Sequence, residues 1–113
     1  MTTSADKQVE AASGKIREIL HNDQIETMTA PELCQFIAET KPLTWSIPEL
    51  LDRTARQLNN RLEAGNLTDD HSNDPKPTVD DAVAALHQAA ETVREASKSL
   101  EAAHNALARL ADS

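Results

Sequence analysis

The sequence predicts an all-α protein, a small helical bundle of three short helices plus a long C-terminal coiled-coil-like helix. Three observations support this class. The 113 residues include only two glycines and five prolines, and this composition favours helices. Several segments begin with the residue pattern of a helix N-terminus, and apolar residues recur every seven positions in the last third of the chain. Because Phe36 and Trp45 are the only aromatic residues, no aromatic-lined pocket for a small-molecule substrate is expected.

The first helix is predicted over residues 4–21. Its N-terminal start is weak, and we expect residues 1–6 to be disordered. Gly14 lies in its interior and costs about 1 kcal/mol relative to alanine. The helical spacing is carried by five apolar residues, Val9, Ala12, Ile16, Ile19 and Leu20.

Two similar stretches, "TAPEL" at 29–33 and "SIPEL" at 46–50, each predict the start of a helix. Thr29 with Glu32, and Ser46 with Glu49, have the spacing of a capping box. Pro31 and Pro48 would then lie in the first turn, where a missing amide hydrogen costs nothing.

A large apolar residue precedes each of these caps. Met28 would pack on Leu33, and Trp45 would pack on Leu50, as hydrophobic staples. The predicted second and third helices therefore span 30–40 and 47–64, and Gly65 ends the third.

A polar, acidic segment, "GNLTDDHSNDPKP", separates these helices from the last one. We expect a three-helix N-terminal bundle at 1–66, a flexible acidic linker at 67–77 and a long amphipathic helix within 78–113. In "PTVDD", Thr78 and Asp81 form a weaker version of the capping box, which predicts a helix over 79–112.

The last helix carries five uninterrupted heptads, which predict self-association. At about 1.5 Å per residue it would be roughly 50 Å long, against roughly 27 Å for the third helix. We therefore expect its first half to pack on the bundle and its second half to pair with another chain. The pattern leaves open whether the helix folds back on its own chain, and whether paired helices are parallel. The predicted oligomerisation residues are Val79, Ala82, Leu86, Ala89, Val93, Ala96, Leu100, Ala103, Leu107 and Leu110.

No catalytic, metal or cofactor site is expected. Glu18 with His21, and Glu101 with His104, have the Glu-x-x-His spacing of di-iron bundles. The first pair would point away from the apolar face of its helix, so the set of ligands would be incomplete. Cys34 has acidic neighbours on its helix, which do not activate a thiol, and it is interpreted as a buried structural residue.

Two alternatives to a protein-interaction role remain open. In the first, the second and third helices form a helix-turn-helix and use Arg53, Arg56 and Arg61 on DNA. Acidic Glu49 and Asp52 among those arginines argue against nucleic acid as a partner, and Asp52 could instead pair with Arg56.

The second alternative follows from the formal net charge of −8. Five aspartates around the linker could imitate nucleic acid and inhibit a nucleic-acid enzyme, or could simply solvate the linker and the helix start. These residues are Asp69, Asp70, Asp74, Asp80 and Asp81.

The leading hypothesis is a non-enzymatic adaptor or protein-protein interaction protein that self-associates and binds another protein. Trp45 is either half-buried in its staple or an exposed anchor for a partner. The N-terminal "MTTSADKQVE" has no apolar core, and no apolar run approaches the ~18 residues of a membrane span. We therefore expect a cytoplasmic protein with no membrane partner.

Overall fold

The computed structural model describes residues 4–71 and 73–113, and over these ranges the protein is helical with no β-strand. It has three α-helices, α1 (Ser4–His21), α2 (Ala30–Glu63) and α3 (Lys76–Leu107), with a 3₁₀ turn at Ile25–Thr27 before α2. The predicted all-α class is confirmed, but the predicted number of four helices is wrong. Residues 4–6, which were expected to be disordered, form the first turn of α1, whereas residues 1–3 lie outside the described residues.

The first capping box forms as predicted and starts α2. Thr29 Oγ1 accepts a hydrogen bond from the amide of Glu32 at 3.3 Å, and Glu32 Oε1 accepts one from the amide of Thr29 at 3.2 Å. These bonds to Thr29 lower the pKa of the Glu32 carboxyl. The start of the helix is therefore fixed by its own first four residues.

The second predicted start does not begin a new helix, because α2 continues through it. Pro42 and Pro48 both lie inside α2, and Ser46 and Glu49 are interior residues of the helix rather than a capping box. A proline inside a helix removes one backbone hydrogen bond. Pro48 is fully buried, so packing offsets part of this cost. Long-range packing of α2 along a second helix thus overrides the local signal for a break.

The second helix that covers α2 is α3, which runs antiparallel to it as the other arm of a hairpin. The indole N–H of Trp45 donates to Ser97 Oγ at 3.0 Å, and the amide of Ala30 donates to Asp112 Oδ1 at 3.1 Å. The start of α2 therefore lies beside the end of α3, so the long C-terminal helix folds back along the whole of its own chain's α2.

A sharp turn after Glu63 allows this reversal. Gly65 has φ of 74°, a left-handed conformation that favours glycine. Its amide donates to the carbonyl of Leu62, and the amide of Asn66 donates to that of Arg61, both at 3.0 Å. This pair of bonds is a Schellman motif, which ends α2 where the sequence predicts.

The helix α3 begins earlier than predicted, at Lys76, inside the segment assigned to the linker. Thr78, the predicted cap, lies within the helix, and its hydroxyl donates to the carboxylate of Asp69. The amide of Lys76 donates to Asp74 Oδ1 at 3.0 Å. Asp74 and Asp69 therefore hold the first turn in place of the expected cap.

The buried core of the described residues is small. Its hydrophobic members are Ala55, Val79 and Ala90, and Pro48 is the largest fully buried side chain. The molecule is elongated, with extents of 65 × 28 × 20 Å. No residue of α1 is buried, so the hairpin of α2 and α3 is the main structural unit and α1 is attached to it loosely. None of the helices described is long and apolar enough to cross a membrane.

Candidate functional site

The hairpin has two sides, and one of them is polar. Arg94 on α3 forms an ion pair with Asp52 on α2, and His87 Nε2 lies 4.0 Å from the same carboxylate. Hydrogen bonding to Asp52 raises the pKa of Arg94. An open cleft of about 550 Å³ on this side is lined almost entirely by charged or polar residues, including Arg56 and Glu91. This polar side is held together by contacts between charges.

Trp45 also lies on the polar side. Its side chain is 58% exposed, and its indole nitrogen bonds Ser97. Leu50 follows it by five residues, a rotation of about 140° around the helix, so the two side chains point to different sides of α2. The predicted staple between them is wrong because α2 does not begin at Ser46. As a partner anchor, Trp45 stays a prediction.

A half-buried cation lies between the two helices of the hairpin, near the end of α3. The ammonium of Lys41, whose side chain is only 13% exposed, lies 2.8 Å from Glu101 Oε2 and 3.3 Å from His104 Nδ1. Its hydrogen bond lowers the pKa of the Glu101 carboxyl. Glu101 and His104, whose spacing was considered for a metal site, therefore both contact Lys41.

The residues considered for DNA binding do not form a helix-turn-helix, because residues 40–46 are helical and provide no turn. Arg53 pairs with Glu49 at 3.1 Å, and Arg56 borders the polar cleft. Arg61 lies beside an apolar cleft near Leu67. The three arginines are spread over an arc of about 140° around α2. Asp52 pairs with Arg94 instead of with Arg56.

The aspartates around the linker are partly engaged in local structure. Hydrogen bonds from Thr78 and then from the amide of His71 lower the pKa of Asp69. Asp80 forms an ion pair with Lys76 at 2.7 Å, which raises the pKa of that lysine. These bonds hold Asp69 and Asp80 against the start of α3.

The residues of α3 that face α2 are not the predicted oligomerisation residues as a set, because α3 is rotated about its own axis relative to that prediction. The first heptad position packs on α2 throughout, and its residues are buried or half-buried: Val79, Leu86, Val93, Leu100 and Leu107. Among the residues three positions later, Ala82 is half-buried, whereas Ala89, Ala96, Ala103 and Leu110 are exposed.

The next position along replaces them at the interface. Ala90 is fully buried, and Ser97 and His104 are half-buried. These two polar residues find partners on α2, Trp45 and Lys41 respectively. The same position holds the apolar residues Val83 and Ala90, so both apolar packing and these two polar contacts keep it against α2.

The rotation leaves a strip of small, uncharged residues exposed on α3. They recur every three or four positions and are all exposed: Ala85, Ala89, Thr92, Ala96, Ser99, Ala103 and Ala106. On α2, the large side chains of Leu43, Ile47 and Leu50 are 42%, 39% and 53% exposed.

The two sets lie on the same side of the hairpin. Trp45 and Asp52 mark one flank of α2, and they contact Ser97 and Arg94 on one flank of α3. In an antiparallel pair the opposite flanks must also face the same way. We call the surface formed by Leu43, Ile47 and Leu50 with the α3 strip the open face. These residues carry no charge, although 27% of the chain is charged. Arg53 and Arg61 line a cleft beside Leu50, and Glu39 lines one beside Leu43, so charges border the face.

The helix α1 borders one end of the open face. An apolar cleft of about 380 Å³ separates α1 from α2 there, with Ile16, Ile19 and Leu20 on one wall and Phe36 and Leu43 on the other. Ile16 and Leu20 remain 45% and 68% exposed. The apolar surface of the hairpin therefore continues onto α1.

The sequence reasoning did not identify Leu43, Ile47 or Leu50 as a surface. Their spacing of four and three residues continues from Phe36 and Thr40, and it was a usable signal for a second stripe along one helix. The predicted break at 40–46 divided the stripe between two helices. Among the described residues, no group of three or more His, Cys, Asp or Glu side chains is placed to hold a metal ion.

Comparison of the chain with protein families, with characterised proteins and with solved structures finds no match in any of the three.

Proposed function

We propose that the protein is a non-enzymatic adaptor that binds the helical surface of another protein chain through its open face. The observation that carries this proposal is the balance of exposed and buried side chains. Eight large hydrophobic residues are exposed in the described ranges, whereas only three hydrophobic residues are buried. Three of the eight, Leu43, Ile47 and Leu50, lie side by side on the open face, and contiguous exposed apolar surface marks an interaction site.

The shape of the open face favours a helix as its ligand. Two parallel ridges, large on α2 and small on α3, leave a shallow groove between them, and an amphipathic helix fills such a groove with residues spaced by three and four. Alanine, serine and threonine on α3 allow a close approach of the partner's backbone. The binding residues on α3 are therefore only the positions that remain exposed, not the whole heptad stripe, and α2 contributes the large residues beside them.

Affinity capture from the native host tests this function. We expect the wild-type protein to retain a partner chain and the Ile47→Asp variant to lose it, because a carboxylate in the groove would be desolvated without a counter-charge. Asn60→Asp is the matched control, since Asn60 is exposed on a different side of α2.

Both variants should keep the helical circular dichroism of the wild type. Equal retention of partners by Ile47→Asp and by the wild type would contradict the proposal, and so would a specific small-molecule turnover by the purified protein.

A further inference from the structure

We infer that the occupant of the open face is a second copy of this chain, and that two hairpins stack face to face as a four-helix bundle. This inference rests on the proposed function, because it names the partner of the same surface. The first argument for it is the complementarity of the face with itself. It offers a ridge of large residues on α2 and a strip of small residues on α3, so the large residues of each copy can pack on the small residues of the other.

The levels of these residues along the hairpin match. Trp45 lies beside Ser97, and Lys41 lies beside Glu101. Ile47 is therefore approximately level with Ala96 of its own chain. If the two-fold axis runs along the hairpin, α2 of one copy lies over α3 of the other without a change of level. Ile47 of each copy then packs against Ala96 of the other, and every neighbouring pair of helices is antiparallel.

The size of the face is that of a weak dimer interface. The α3 strip from Ala85 to Ala106 is about 32 Å long at ~1.5 Å per residue, the α2 ridge from Leu43 to Leu50 is about 10 Å long, and each helix is about 10 Å wide. The footprint is therefore roughly 400 Å² per copy in projection, about half of the ~800 Å² per partner of standard interfaces, so we expect the two copies to associate weakly.

Charge restricts the way in which a second copy can bind. The chain has a net charge of −8, so two copies repel each other at most orientations. Stacking through the open face brings uncharged residues together, and Arg53, Arg61 and Glu39 line the clefts at its edges. The polar sides, with Asp52 and Glu91, remain on the outside, where the carboxylates of the two copies are far apart.

The wide apolar arc of α3 has a physical explanation in this arrangement. The buried Val79 and Ala90 face α2 of the same chain, and the exposed Ala89 and Ala96 would face α2 of the second copy. An arc that covers three adjacent heptad positions suits a four-helix bundle, whereas a two-helix pair needs a narrower one.

Disulfide cross-linking between separately labelled copies tests the inference. In a Cys34→Ser background, one preparation carries Ile47→Cys and the other carries Ala96→Cys, and the two are mixed and oxidised. We expect a covalent dimer that joins positions 47 and 96, formed at least roughly tenfold faster than in a control mixture of Ile47→Cys with Glu91→Cys. Two cysteines held side by side in a dimer have an effective concentration in the millimolar range. Glu91 lies on the polar side, so a cysteine at position 91 would not be held beside position 47.

Each preparation alone should cross-link slowly. Identical positions lie on a diagonal of the bundle, about 14 Å apart, beyond the ~7 Å that a disulfide spans between Cα atoms. Rapid cross-linking of Ile47→Cys alone would place α2 on α2 and overturn the inference. An intrachain disulfide in a monomeric Val9→Cys, Leu50→Cys variant would place α1 over the face and would also overturn it.

The outcomes separate this inference from the proposed function. No acceleration over the control mixture, combined with capture of a different protein that Ile47→Asp abolishes, would overturn the second copy and leave the binding function standing. Cross-linking as expected without any captured host protein would support the second copy as the partner. Failure of both experiments would overturn both proposals.

Discussion

Replacing Pro42 by alanine should stabilise the protein, because Pro42 lies in the interior of α2 and its side chain is exposed. Proline is about 3 kcal/mol less favourable than alanine at such a position. An exposed ring contributes little packing, so nearly all of that difference should appear as added stability. For a chain of this size we expect the melting temperature to rise by roughly 10 °C.

Pro48→Ala should give a smaller gain for a reason that the structure supplies. Pro48 is fully buried between the helices, and alanine lacks two of its ring methylenes. Their burial contributes about 0.8 kcal/mol each, so the gain should fall to about 1 kcal/mol. The difference between the two variants, about 2 kcal/mol, measures how deeply Pro48 is packed.

Pro31→Ala is the matched control, because Pro31 lies in the first turn of α2, where its missing amide hydrogen costs nothing. The assay is thermal unfolding followed by circular dichroism at one protein concentration, since association would shift the midpoint. If Pro42→Ala and Pro48→Ala are no more stable than Pro31→Ala, α2 is not one continuous helix, and the reasoning about the open face fails with it.

Three further predictions concern local features of the hairpin. Thr29→Ala should lower the free energy of unfolding by about 1 kcal/mol in urea titrations, because the capping box is lost. Gly65→Ala should cost roughly 1 kcal/mol by the same measurement, because its φ of 74° is unfavourable for alanine; unchanged stability would contradict the turn. Lys41 lowers the pKa of Glu101, so this carboxylate stabilises the fold above its ordinary titration range, and the contribution disappears as the pH falls through the lowered value. In acid titrations monitored by circular dichroism, Glu101→Gln should therefore be less stable than the wild type at neutral pH, and the gap should close at low pH; a gap that persists would contradict the ion pair.

The parts of the fold that the sequence predicts correctly are those that short-range signals determine. The range of α1 follows from apolar spacing, and the start of α2 follows from the box of Thr29 and Glu32. Gly65 marks the end of α2 because only the local backbone conformation matters there. In each case the residues responsible lie within one or two turns of the feature.

The parts that the sequence analysis missed depend on contacts between distant residues. The continuity of α2 through Pro48 results from burial against α3, and the local signal for a helix start at Ser46 points the other way. The rotation of α3 brings Ser97 and His104 to Trp45 and Lys41 on α2, and a single sequence does not link these pairs.

Part of the candidate site was predicted from the sequence. Ala89, Ala96 and Ala103 were predicted to mediate association, and the structure leaves them exposed. Of their α2 neighbours, Leu50 was assigned to a staple with Trp45 and Ile47 was given no binding role, because spacing alone does not give the hairpin geometry that places both outside.

Sedimentation equilibrium across the micromolar range tests most directly whether the open face joins two copies of the chain. The wild-type mass should rise with concentration from 12.3 kDa towards twice that value, while Ile47→Asp stays at the monomer mass and Asn60→Asp follows the wild type. A wild-type protein that remains at 12.3 kDa at every concentration would contradict the central claim, as would a dimer that Ile47→Asp leaves intact.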